Sequence, residues 1–260
     1  MFGIQEERMR IALQLYTFRE YLRRPPEIAR TLKRIKKIGY DAVQLSGLGP
    51  IDISELTRIL DGEGLKACST HIVFERLFSD LPSVIEEYRV LECTHAAIGG
   101  LPADYRNGEG YRRFAVEGTE IGRKFAQAGL TFSYHNHAME FQKFNGRTGM
   151  DILFGESDPA VFFAEIDTYW VQYGGGDPAY WIARMAGRIL LVHFKDMSFE
   201  EGQPIMAEVG EGNLNWQAIV AACKNSGVQW CIVEQDKCRR DPFESVAISL
   251  QHMKEMDLEC

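Results

Sequence analysis

Short apolar runs of strand length alternate with segments of helical period along the chain. The pair recurs eight times, at roughly thirty-residue intervals. The runs are Ile11 to Phe18, Asp41 to Gly47, Lys66 to Ile72, Thr94 to Gly100, Leu130 to His137, Val161 to Asp167, Arg188 to Asp196 and Gln229 to Asp236. Between the first two, Pro26 opens a helix, Ile28, Leu32, Ile35 and Ile38 share one face, and Gly39 stops it. Later helices are expected around Pro82 to Leu91, Tyr111 to Ala128, Gly149 to Phe154, Pro178 to Gly187 and Trp216 to Lys224, with a last one starting at Asp241-Pro242. Runs such as ILLVHF are apolar almost throughout, as a sheet covered on both faces requires.

Eight alternations without a linker or a composition break predict one α/β domain over residues 1–260, a single (β/α)8 TIM barrel. An open doubly wound sheet is the rival. It would call for a GxGxxG turn after an early strand, and the chain has none.

Hydrophobic residues make up 45% of the chain and charged residues 25%, enough for a sizeable core. The net charge of −8 and the absence of a basic stripe argue against nucleic acid and anionic membranes as partners. The N-terminus has no apolar signal region and no stretch reaches eighteen apolar residues, so neither secretion nor a membrane span is expected. The six cysteines form no CxxC pair, and a reducing, cytoplasmic setting follows. A homo-oligomer is compatible with all of this.

In such a barrel the active site forms where the strands end. Those ends carry His71 on strand 3, His135, Asn136 and His137 on strand 5 with Glu140 just beyond, Asp167 on strand 6, His193 and Lys195 on strand 7, and Glu234 and Asp236 on strand 8. One strand-end Asp is more often a helix cap, and one His on an apolar strand is more often packed core. As a set, four neighbouring strands would aim carboxylates and imidazoles at one mouth. Several buried carboxylates are costly unless a cation neutralises them. A mixed oxygen and nitrogen donor set suits Mn, Mg, Co or Zn as a divalent metal cofactor.

The segments YHNHAMEF, EIDTYWVQYGGGDP, LLVHFKD, EVGEG and IVEQD resemble the xylose-isomerase-like superfamily of TIM barrels, the sugar (phosphate) isomerases and epimerases, with relatives among inosose dehydratases and keto-glycoside-processing enzymes. The resemblance runs from Met9 onward, so residues 1–8 are read as an N-terminal extension. It implies a metal held by a carboxylate after strand 5, an Asp after strand 6, a His on strand 7 and a Glu on strand 8. Asp167, His193 and Glu234 match the last three. For the first, Glu140 is the expected ligand, and His135, which stands where many members have a Glu, is the alternative.

On the same basis Glu140 and Glu234 are the expected catalytic acid/base pair, and His71, His135, His137, Trp170 and Lys195 the expected substrate-binding residues. His137 is equally readable as an orienter of its neighbours, Trp170 as plain packing, and Lys195 as the partner of a carboxylate such as Asp196. Trp170 stands where several epimerases have a His, and strand 4 ends in glycine where the superfamily's abasic-site endonucleases need another His. Both departures argue against DNA repair. The resemblance thus implies a sugar isomerase or epimerase acting on a keto sugar or keto-glycoside through a metal-stabilised enediolate. A dehydratase or lyase on a keto-inositol or keto-glycoside using the same enolate is the alternative, and a catalytically silent sugar-binding barrel is the reading from another class.

Overall fold

The computed structural model describes residues 9–259. Eight parallel strands close into one barrel. They are β1 (Arg10–Gln14), β2 (Ala42–Leu45), β3 (Lys66–Ile72), β4 (His95–Ile98), β5 (Thr131–His135), β6 (Phe163–Asp167), β7 (Ile189–Phe194) and β8 (Trp230–Val233). Each pairs with its neighbour in sequence, and β8 closes on β1. The expected (β/α)8 architecture is therefore present. The extension expected over residues 1–8 lies outside the described residues.

The helices form where caps and apolar spacing agree. Pro25–Ile38 starts on prolines that need no N–H partner in the first turn, buries Ile28, Leu32 and Ile35, and ends at Gly39, whose φ of 119° a side chain would resist. Gly108–Gln127 starts three residues earlier than its apolar spacing suggests, because the Asn107 side chain accepts the Gly110 N–H. Its Phe114 and Phe125 pack with Phe132 and Phe162 in an aromatic layer between helices and barrel wall.

Apart from β3, which fills its run, the strands are shorter than the apolar runs. The first stops at Gln14, whose side chain accepts the Tyr16 N–H and turns the chain into a 3-10 segment, Leu15–Tyr21. Among the features that escape the periodicity are a helix at Thr168–Tyr173 and an antiparallel hairpin of Asp196–Glu200 with Gln203–Ala207.

Alternation along each strand sorts the barrel interior into layers. Near the strand starts the interior is apolar, with Ala12, Ala42, Cys68, Leu191, Trp230 and Ile232 packed together. Two residues further along β1, β2 and β7 come Gln14, Gln44 and His193, all fully buried. The apolar floor thus carries a polar layer that faces the C-terminal mouth. Cys68, Cys93, Cys223, Cys231 and Cys238 are free thiols.

Candidate metal centre and substrate mouth

His135, Asp167, His193 and Glu234 come from β5, β6, β7 and the end of β8. One donor atom from each lies within 4.8 Å of all the others, and all four side chains are buried. His135 Nε2 is 3.2 Å from Asp167 Oδ2, His193 Nδ1 is 3.9 Å from the same oxygen, and His193 Nδ1 is 2.9 Å from Glu234 Oε2. A divalent ion with ligands at about 2.0–2.2 Å holds neighbouring donors about 3–4 Å apart. Two imidazoles and two carboxylates at these spacings fit one such ion. The His135 Nδ1 atom is buried without a hydrogen-bond partner among the described residues.

Glu140 lies elsewhere. Its Oε1 accepts the Tyr134 hydroxyl at 2.6 Å and its Oε2 accepts the His137 backbone N–H at 2.9 Å. The reason is the side of the strand on which its partner lies. His135 faces the barrel interior, Tyr134 faces the aromatic layer outside it, and Glu140 follows Tyr134. Burial pushes the Glu140 carboxyl up, against the pull of these donors. The geometry therefore gathers His135, and not Glu140, with Asp167, His193 and Glu234.

The other expected residues surround this group. His71 Nε2 sits 2.8 Å from Glu165 Oε2, and its ring stacks on His193 at 5.6 Å. His137 lies against Trp170, ring centres 5.5 Å apart. Burial and then the neighbouring His135 push the His137 imidazole down to about 3, so it is neutral near pH 7. Trp170 Nε1 is a buried donor with no partner among the described residues, available to a ligand oxygen.

Lys195 is fully interior. Its Nζ reaches Asp236 at 2.8 Å, Glu234 at 3.1 Å and Asp167 at 3.5 Å, and Trp170 covers it at 5.1 Å. Burial opposes its charge, but these three carboxylates hold its pKa above the usual lysine value. It does not pair with Asp196, which instead accepts the N–H groups of Gly210, Gly212 and Leu214 and the Trp216 indole. The EVGEGNLNW segment is thus a loop folded around one buried carboxylate.

Asn136, between the two histidines, accepts the Asp167 backbone N–H at 3.1 Å and ties β5 to β6. Asp167 Oδ1 caps the helix Thr168–Tyr173 through the Trp170 N–H at 2.9 Å, leaving Oδ2 for the donor group. The two glycines after β4 make room for imidazoles. A Cβ at Gly99 would stand 3.0 Å from His71 Nδ1, and one at Gly100 3.3 Å from His137 Nδ1.

Sequence reasoning missed Glu165 and Gln44. Glu165 lies two residues before Asp167, hence on the same face of β6, and that spacing was the available signal. It is fully buried against His71, Gln44 and His193.

A family model described as xylose isomerase-like TIM barrel matches residues 32–256. The chain belongs to this family. Solved structures share the fold throughout. A sugar phosphate isomerase/epimerase from Parabacteroides distasonis is 21% identical, with 98% of this chain and 96% of that one covered at a TM-score of 0.76. An L-ribulose 3-epimerase is 19% identical, covering 95% and 94% at a TM-score of 0.70. The probable 3-DHS dehydratase AsbF from Bacillus anthracis is 14% identical, covering 95% and 99% at a TM-score of 0.67. No curated protein matches the chain. Among the described residues, no helix is long and apolar enough to cross a membrane. The solved structures with this fold thus include an epimerase and a probable dehydratase, and a shared fold does not by itself fix a reaction.

Proposed function

We propose that this chain is a divalent-metal-dependent enzyme that moves the proton beside the carbonyl of a keto sugar or keto-glycoside, as an isomerase or epimerase. The observation that carries this reading is the buried donor group of His135, Asp167, His193 and Glu234, one donor from each of four neighbouring strands. His135 takes the fourth ligand position in place of Glu140, whose oxygens are committed to Tyr134 and His137. A divalent ion held there would polarise the substrate carbonyl and favour loss of the neighbouring proton.

The chain's own residues supply the rest. Glu234 is the carboxylate that takes the proton from the carbon beside the carbonyl, leaving the electron pair as an enolate. Lys195, held as a cation by Glu234, Asp236 and Asp167, offsets the negative charge that develops on the substrate. The Trp170 face gives a sugar ring a stacking surface and its indole N–H a donor, while His71 and His137 meet substrate oxygens from β3 and β5.

A second reading has its own observation. Epimerisation needs an acid on the face opposite the base, and the Glu140 carboxylate is held away from the donor group. A dehydratase or lyase needs one base and an acid for a departing β-substituent. Glu234 would take the proton, the enolate pair would expel the substituent, and Lys195 would give that group its proton.

Incubation with keto sugars and keto-glycosides in D2O, with and without added Mn, Mg, Co or Zn, tests both. Metal-dependent deuterium at the carbon beside the carbonyl supports enolate chemistry, and the product distinguishes epimer from elimination. A Glu234→Gln chain that keeps wild-type exchange would overturn the assignment. Sugar binding without exchange in the wild type would favour a silent barrel.

A further inference from the structure

Beneath the donor group runs a chain of buried side chains with one consistent direction. Gln14 Oε1 accepts the Tyr16 N–H at 3.2 Å, so its amide nitrogen points inward and donates to Gln44 Oε1 at 2.7 Å. Gln44 Nε2 in turn donates to Glu165 Oε1 at 2.6 Å. The other Glu165 oxygen is taken by His71 Nε2 at 2.8 Å. Strand register supports this order, because Gln14 pairs with Gln44 and Glu165 lies on the strand beside β7.

The direction leaves one solution at His193. Its Nε2 lies 2.6 Å from Gln44 Oε1 and 3.3 Å from Glu165 Oε1, and both are acceptors. Turning the Gln44 amide over would set its carbonyl against a carboxylate and its NH2 against the Gln14 NH2. Both arrangements are repulsive and leave fully buried groups unpaired, at about 1–3 kcal/mol for each. His193 Nε2 must therefore carry a hydrogen, and Nδ1 is the nitrogen presented to Asp167 and Glu234.

We infer that Glu165 and Gln44 are positioning residues that hold His193 by its Nε2–H and so aim its Nδ1 at the donor group. The link to metal affinity rests on the function proposed above, whereas the orientation of the ring does not. His71, Glu165 and His193 also bring three donor atoms within 4.8 Å of one another. The His193 atom facing Glu165 is the one already given to Gln44, so this second group reads as the support of the first and not as another ion site.

The test uses full-length protein labelled with 15N-histidine, metal-free and loaded with Zn. The wild type should show a slowly exchanging His193 Nε2–H in both states and one Zn per chain. Gln44→Met and Glu165→Ala should lose that N–H signal and bind Zn about 10–100-fold more weakly. Glu165→Gln, which keeps an acceptor, should recover part of the affinity. Nδ1 protonated with Nε2 on the metal, two Zn per chain, or unchanged signal and affinity in variants that keep the wild-type circular dichroism would each overturn the inference. Should Gln44→Met or Glu165→Ala fail to fold, the ring orientation is read from the wild type alone. A wild type that takes up no Zn would remove the metal reading, and the metal-free N–H signal would still decide the positioning role.

Discussion

His135 and Glu140 lie five positions apart, yet the barrel wall separates their side chains. His135 Nε2 faces Asp167 at 3.2 Å, and Glu140 Oε1 receives the Tyr134 hydroxyl at 2.6 Å. One turn of chain thus supplies a donor to the mouth and a carboxylate to the shell around it.

That separation predicts opposite phenotypes. His135→Ala should lower divalent-metal affinity about 10-fold or more while leaving the fold in place, since metal sites depend on ligand count. Glu140→Ala should keep one ion per chain but lose about 1–3 kcal/mol of stability, because the Tyr134 hydroxyl and the His137 N–H would be buried unpaired. Metal titration and urea unfolding of the two variants read the two effects. Loss of the ion in Glu140→Ala but not in His135→Ala would reverse the ligand assignment.

Metal uptake should release protons. Burial opposes a charge on His193, but the Glu165 and Glu234 carboxylates outweigh it and raise the metal-free imidazole to about 10. Near pH 7 the ring is then doubly protonated, and a cation at Nδ1 must displace one proton. Apparent affinity should climb about tenfold per pH unit below that value. Calorimetry at pH 7.5 in buffers of different ionisation enthalpy counts the protons. A pH-independent affinity between 6 and 9 would contradict this.

The same shifts set the pH dependence of metal-free stability, with opposite signs. His193 is raised above its unfolded value of about 6.5, so its stabilising contribution is complete below that pH and fades as pH rises toward about 10. His137 is depressed to about 3, so the unfolded chain binds its proton first and stability falls as pH drops from about 6.5 toward 3. Unfolding free energy of the chelated protein should therefore decline on both sides of neutrality. His137→Gln should lessen the acid-side decline without abolishing it, because burial also holds His95 and His135 below the usual imidazole range.

Asp196 organises the loop after β7 from a fully buried position, accepting the backbone N–H groups of Met197, Gly210, Gly212 and Leu214 and the Trp216 indole. Asp196→Ala should cost about 3 kcal/mol or more, since several buried donors lose a charged acceptor. Gly212→Ala should act through the same carboxylate, because a Cβ there would stand 2.3 Å from Asp196 Oδ1. Hydrogen exchange of residues 208–216 should rise in both variants. Protection equal to the wild type would show that the carboxylate does not hold the loop.

Glycine after β4 is a steric requirement of the histidines across the mouth. Gly99→Ala would crowd His71 Nδ1, which a Cβ would approach to 3.0 Å. The expected result is a shifted His71 ring and weaker sugar binding, with metal stoichiometry unchanged. Imidazole chemical shifts and sugar titration read these separately, and identical shifts in the variant would show that the ring has room.

The strand–helix alternation and the polar strand ends were legible in the sequence because both follow from local rules. A two-residue period decides which side chains share a strand face, and caps with a 3.6-residue period decide where helices run. Those rules alone placed Asp167, His193 and Glu234 at one end of the barrel. Which group joins them was not a local matter. Glu140 sits in a turn beyond β5, where no strand period applies, and only the packed barrel shows that the Tyr134 hydroxyl and the His137 N–H claim its carboxylate. Glu165 and Gln44 stayed hidden for a related reason. Their partners lie on other strands, up to 149 positions away for the Gln44–His193 bond, so barrel closure sets their hydrogen bonds. Local sequence determined the elements and the faces they bury. Closure of the sheet decided which buried polar atoms meet, because a desolvated donor or acceptor must find its partner wherever the fold brings one within reach.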